Sequence, residues 1–258
     1  MGGALLKGWL DRDVDYRVTI VDPFGLPAGL TDLPNIKQVA DFDAVPDEVD
    51  PSVVVFAVKP QVLPGVIDRY KRFVRPETFF VSIVAGKTIA FFEKHLGSEA
   101  AIVRAMPNTP AAIGRGITVM CGNASVTEAH RDESSVLMRA AGKVAWIDDE
   151  SQMDAVTAVS GSGPAYVFQL IETMAESGVR LGLPLELAMD LARETVAGAG
   201  ELARRQSDER ITQLRRNVTS PGGTTEAALE VLRASGGIQP LFDRALKAAA
   251  DRSRKLSD

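Results

Sequence analysis

Three apolar runs punctuate the early part of the chain: Arg17-Val18-Thr19-Ile20-Val21, Ser52-Val53-Val54-Val55-Phe56-Ala57-Val58 and Thr78-Phe79-Phe80-Val81-Ser82-Ile83-Val84. Each has strand length and lacks the polar alternation of a half-exposed strand. Such segments are buried on both faces, as in a parallel sheet covered by helices. Gly3 to Leu10, Gln61 to Phe73 and Thr88 to Leu96 read as helices between them, and further strands are expected near Ala101–Ala105, Gly116–Cys121 and Val144–Ile147. This alternation predicts a doubly wound α/β domain over residues 1–149, with ligands outside the carboxyl ends of its strands.

From about Glu150 the pattern changes, and residues 150–258 are expected to form an all-helical domain. Val167, Leu170, Ile171, Met174 and Gly178 recur at the spacing of one helix face. Another helix follows Gly182-Leu183-Pro184, the proline suiting a first-turn position. That helix carries Ala197-Gly198-Ala199-Gly200, small residues that admit a second backbone closely. Periodicity leaves open whether this backbone belongs to the same chain or to another subunit. The basic residues Arg244, Lys247, Arg252, Arg254 and Lys255 read as a solvated helix face.

The chain has 258 residues, 45% of them hydrophobic and 24% charged, enough apolar material for a real core. Its formal net charge of −5 argues against a sequence-independent nucleic-acid binder, which needs surplus cations for phosphate contacts. No apolar stretch is long enough to span a bilayer, and the opening residues lack the apolar core of a secretory signal. Cys121 has no second cysteine to pair with, and His95 and His130 are too few for a histidine–cysteine zinc site. A cytoplasmic protein without a metal or membrane partner is expected.

Four segments carry candidate chemistry. At the start, Gly2 or Gly3 fits the last glycine of a G-x-G-x-x-G fingerprint, but the strand and first glycines of that motif are absent. Asp22 stands at the distance where an acidic residue accepts hydrogen bonds from an adenosine ribose; an aspartate before Pro23 equally serves a turn. Ala57-Val58-Lys59-Pro60-Gln61 follows the strongest strand and could offer amides and a cation, or simply be a loop. Val84-Ala85-Gly86-Lys87 and Arg104-Ala105-Met106-Pro107-Asn108-Thr109-Pro110 also follow strands, with Asn108 held between prolines. Finally, Asn217-Val218-Thr219-Ser220-Pro221-Gly222-Gly223-Thr224-Thr225-Glu226 opens a helix. Bare amides at a helix start attract anions, and paired glycines let a bound group approach the backbone. Ser160-Gly161-Ser162-Gly163 does not fit the hydrolase turn G-x-S-x-G and is expected to cap the helix after it.

Ala57–Gln61, Met106–Pro110, Ala158–Tyr166 and above all Val218-Thr219-Ser220-Pro221-Gly222-Gly223-Thr224-Thr225 together resemble the pyrroline-5-carboxylate reductase family, over essentially the whole chain. The resemblance implies a Rossmann-type amino domain, an all-α dimerisation domain with larger rings possible, and hydride transfer from NADPH or NADH to the C=N carbon of 1-pyrroline-5-carboxylate. It implies Thr225 at the ring nitrogen and Ser220, Gly222, Gly223, Thr224 and Thr225 around the substrate. On the cofactor side it implies Met1, Asp22, Ala57, Val58, Lys59 and Pro60, with Ala85, Gly86 and Asn108 near the nicotinamide half and Asn217 reaching from the helical domain. Glu150 is a further candidate at the domain junction. Asp22 leans the preference towards NADH. The alternatives are a related reductase of hydroxyacid or F420-linked type, and a truncated, non-catalytic dimeric module. The natural start is expected upstream of Met1, and the strands near Val18–Val21 and Val53–Val58 are expected to flank an unfilled slot or to close up imperfectly.

Overall fold

The computed structural model describes residues 1–11, 16–26, 33 and 35–257. The chain gathers into two compact units, one of Met1–Val156 with Ser253–Asp258, the other of Thr157–Arg252.

In the first unit the strands are β1 Val18–Val21, β2 Ile36–Val39, β3 Val53–Phe56, β4 Phe79–Ser82, β5 Ala101–Met106, β6 Gly116–Gly122 and β7 Gly142–Trp146. Its helices are α1 Gly2–Leu10, α2 Ile89–Leu96, α3 Glu128–Arg139 and α4 Met153–Val156. Strands β3-β4-β5-β6-β7 form one sheet, parallel except for the antiparallel β5–β6 pair. The parallel pair β1-β2 forms a separate sheet. No ladder joins Val18–Val21 to Val53–Phe56, as expected for these two strands.

Alternate residues of the larger sheet feed two cores. Val54, Phe56, Phe80, Ile102 and Cys121 pack with Leu63, Ile67, Phe73 and Phe92 on one face. Phe79, Val81, Ala101, Val103 and Met120 pack with Leu5, Leu137 and Met138 on the other. Every residue of β4 is buried, which is why its sequence reads as an unbroken apolar run. Val21 and Val39 join the first core, so the smaller sheet is attached by side-chain packing.

The stretch expected as a helix over Gln61 to Phe73 is wound as 3₁₀ helix at Leu63–Gly65 and Ile67–Phe73. Pro64 and Gly65 interrupt an α-helical ladder there. Arg69 and Arg72, which eclipse at the 3₁₀ spacing, pair with Asp43 and Asp47, and Arg75 pairs with Asp50. Strand β2 and helix α3 were not expected from the apolar pattern. Helix α3 is mostly polar and starts on a capping box: Thr127 Oγ1 accepts the His130 N–H and His130 Nδ1 accepts the Thr127 N–H, both at 3.3 Å.

The second unit contains α5 Gly163–Arg180, α6 Leu185–Arg205, α7 Ile211–Asn217, α8 Thr224–Leu232 and most of α9 Ile238–Ser257. Thr157–Gly161, ahead of α5, is wound as a π-helix. Helices α5 and α6 pack through Ala175, Ala188 and Ala192, with Ile171 and Met189 beside them. Pro184 stands at the N-cap of α6, one residue before the first turn where it was expected. Ser162 does occupy the N-cap of α5, but its side chain makes no capping hydrogen bond.

Candidate functional site

Because β3, β4 and β5 run parallel, the segments leaving their carboxyl ends emerge at one end of the sheet. These are the segments at Ala57–Gln61, Val84–Lys87 and Met106–Pro110, so the first unit gathers the sequence candidates where a doubly wound sheet binds its ligand. Ala57 and Lys59 are exposed, and the Lys59 carbonyl accepts the Val62 N–H at 2.9 Å to close the turn. A β-carbon on Gly2 would stand 3.1 Å from that of Ala57. Helix α1 therefore begins close against this turn, where a side chain larger than hydrogen would crowd Ala57, in keeping with a closely packed glycine at the start of a dinucleotide-binding helix. These residues fit a nicotinamide dinucleotide.

The other cofactor-side candidates have more local duties. Asp22 Oδ1 accepts the Phe24 N–H at 2.8 Å, so one carboxylate oxygen serves a turn at the end of β1. Asn108 caps the 3₁₀ turn Thr109–Ile113 by position, and its Oδ1 accepts the Ile117 N–H at 2.9 Å. This pins the segment after β5 to the start of β6. Gly86 has φ +72, and Ala85 beside it is exposed. Asn217 ends α7 in the second unit, its Oδ1 accepting from Gln213 Nε2 at 2.8 Å.

Glu150, a candidate at the domain junction, pairs with Arg104, whose own role the motifs did not single out. Arg104 interrupts the apolar run of β5 and is only 7% exposed. Glu150 Oε1 accepts from Arg104 Nη1 at 2.7 Å and from the Ile89 N–H at 2.9 Å. One carboxylate thus answers a buried cation and a bare amide at the start of α2. The sequence signal was available: an arginine inside an otherwise apolar strand demands a partner. Cys121, opposite Arg104 in the ladder, is 2% exposed. Burial pushes its thiol pKa up, Glu150 adds to the rise and Arg104 opposes it.

In the second unit, Gly222 has φ +70 and Gly223 stands at the N-cap of α8. A β-carbon on Gly223 would lie 2.9 Å from the Ser220 carbonyl oxygen, so the turn closes only with glycine there. The glycine amides are already engaged: Gly222 N–H donates to Glu226 Oε2 at 2.6 Å and Gly223 N–H to Ser220 O at 3.0 Å. The anion-binding capacity expected of the whole turn therefore falls to the amides of Thr224 and Thr225, in a first turn that no side chain caps. Ser220, Thr224 and Thr225 are exposed. A groove beside α8 is lined by Thr219, Glu226, Leu229, Glu230 and Arg233, and Ser220, Thr224 and Thr225 are not among its lining residues.

Among the described residues, β-carbons on Gly198 and Gly200 of α6 would meet nothing within 4 Å. Val167, Leu170 and Met174 of α5 and Leu187 and Leu191 of α6 are exposed. Among the described residues, no helix is long and apolar enough to cross a membrane and no side-chain cluster could hold a metal ion.

Comparison with known proteins places these features. Residues 150–256 match the family profile described as pyrroline-5-carboxylate reductase dimerisation. The pyrroline-5-carboxylate reductase of Pseudomonas aeruginosa is 44% identical over 248 residues, covering 96% of this chain and 86% of that protein. A pyrroline-5-carboxylate reductase structure from Coxiella burnetii superposes with a TM-score of 0.88 at 33% identity, covering 100% of this chain and 95% of that one. That of Plasmodium falciparum pyrroline carboxylate reductase, with NADP bound, gives 0.79 at 28% identity, again covering 100% and 95%.

Proposed function

Because this chain belongs to the pyrroline-5-carboxylate reductase family, we propose that the uncapped first turn of α8 holds its substrate and that Thr225 serves the reacting nitrogen. The chain is an NAD(P)H-dependent oxidoreductase acting on a C=N bond. It converts 1-pyrroline-5-carboxylate to L-proline, the closing reduction of proline biosynthesis. Relatedness at this level over nearly the whole chain favours this reading over the other reductase types.

The residues account for the chemistry without a protein nucleophile or metal. A protonated cyclic imine already has an electrophilic carbon, so the protein's task is chiefly to hold the reacting groups in place. Such positioning contributes up to about 7–11 kcal/mol. Bound NAD(P)H supplies the hydride. The amides of Thr224 and Thr225 take the substrate carboxylate at the positive end of α8. The Thr225 hydroxyl hydrogen-bonds the ring nitrogen, holding or supplying its proton, with Ser220 and Thr224 lining the pocket and Gly222 and Gly223 shaping the turn.

On the cofactor side, Met1 and the start of α1, with Ala57, Val58, Lys59 and Pro60, face the dinucleotide, and Asp22 faces the adenosine ribose. Ala85, Gly86 and Asn108 serve the nicotinamide half, and Asn217, borne by the helical unit, is assigned a cofactor contact of its own. The helical unit makes the subunit contacts of an oligomer. We propose a homodimer through α5 and α6, extended into larger rings, in the cytoplasm and without nucleic-acid or membrane partners. The exposed apolar residues of those helices and the net charge of −5 support this reading.

The observation that carries the site assignment is the bare first turn of α8 behind two committed glycine amides. NAD(P)H oxidation driven by pyrroline-5-carboxylate tests it. Thr225→Ala should lower kcat by about 10²–10⁴, the range of a positioned proton donor, while Thr225→Ser retains most of it. Full turnover by Thr225→Ala refutes the assignment.

A further inference from the structure

We propose that Asp154 is a positioning residue for the cofactor side of the reaction, acting through Ser253 to hold the last turn of α9 against the Gly86 loop. The inference rests on the assignment of that loop to the nicotinamide half.

Asp154 stands in α4, four residues after Glu150, and its side chain is 17% exposed. Its Oδ1 accepts from Ser253 Oγ at 2.7 Å, and its Oδ2 lies 3.4 Å from Arg254 Nε. Ser253 is 8% exposed while Arg252, Arg254 and Lys255 around it are exposed, so the helix turns this hydroxyl, alone among its neighbours, inward. The same turn carries the Leu256 carbonyl to where a β-carbon on Gly86 would lie 2.9 Å away. Gly86, at φ +72, is thus pressed by backbone from a distant part of the sequence, and any side chain there would dislodge one or the other.

The loop's other side is fixed too. Thr88 caps α2, and the Ile89 N–H donates to Glu150 at 2.9 Å. Glu150 and Asp154, borne by one short stretch, therefore brace the segment between β4 and α2 from both directions: one by gripping its helix, the other by holding α9 against its glycine. A loop confined in this way meets a ligand without losing much freedom of its own, which favours affinity. Releasing the Asp154–Ser253 hydrogen bond removes one wall and leaves Thr225 and its turn untouched in sequence.

The test is steady-state kinetics of the full chain carrying Asp154→Ala, Ser253→Ala, Ser253→Thr and, as a direct probe of the loop, Ala85→Leu, each with a thermal midpoint. Asp154→Ala and Ser253→Ala should raise KM for NAD(P)H by about three- to tenfold, the worth of one hydrogen bond. KM for pyrroline-5-carboxylate should stay within about twofold of wild type. Ser253→Thr should restore the cofactor KM. If Asp154→Ala does not fold, the two Ser253 variants decide. A lowered midpoint with an unchanged cofactor KM in Ser253→Ala means that the contact only anchors α9, and overturns the proposal. If Ala85→Leu also leaves the cofactor KM unchanged, the fault lies in the loop's assignment. If Ala85→Leu raises it and Ser253→Ala does not, the assignment stands and the positioning role falls.

Discussion

At the scale of single residues, the strongest demand is made by Arg104. Buried in β5, it is held in charge balance by a carboxylate from beyond the end of the sheet, and Glu150→Ala would strand it. Losing one partner of a buried pair costs about 3–5 kcal/mol, so urea unfolding of that variant should show a loss of this order. A change within about 0.5 kcal/mol would mean that water reaches the guanidinium. Beside it, Cys121 combines burial with a raised pKa, which leaves little thiolate at neutral pH. Alkylation of the folded protein by iodoacetamide should therefore be slow and become rapid only in denaturant. With Asp22 at the adenosine ribose, as proposed above, its carboxylate would favour a ribose hydroxyl over a phosphate, predicting a higher kcat/KM for NADH than for NADPH. Much of this scale was legible, since the Gly-Gly turn and the segments after strands carry distinctive residues. The commitments of individual amides were not. That Glu226 takes the Gly222 N–H depends on how the first turn winds, which composition does not specify.

Among the elements, legibility followed hydrophobic contrast. Strands β3 and β4 announce themselves as apolar runs because both faces are covered. Helix α3 does not, because only a narrow side of it is buried and the rest is polar; its signal lies in the cap. Thr127→Ala should accordingly cost about 0.5–2 kcal/mol in chemical denaturation, and Thr127→Ser nearly nothing. The stretch at 63–73 shows the opposite error, a correct helical periodicity with the wrong winding. Pro64 breaks the ladder, and the pairing of Arg69 and Arg72 with Asp43 and Asp47 suits residues that eclipse every third position.

The whole molecule carries its apolar surplus on the helical unit. Val167, Leu170 and Met174 were readable as a helix face, yet periodicity could not say whose surface would cover them; the match to a dimerisation family supports the proposal that a second subunit does, over Leu187 and Leu191 as well. An assembly that buries them should show a thermal midpoint that rises with protein concentration, and Leu191→Glu should shift the mass in light scattering towards the monomer. The division of the sheet has a different consequence. Strands β1 and β2 share a core with the larger sheet through Val21 and Val39, but no ladder ties them to β3. Two sets of backbone groups held by side chains alone can part without disturbing the rest, as a foldon of their own. Amide protons of Ile36–Val39 should then exchange with deuterium well before those of Phe79–Ser82, marking a hinge of low free energy inside a unit that otherwise opens only globally.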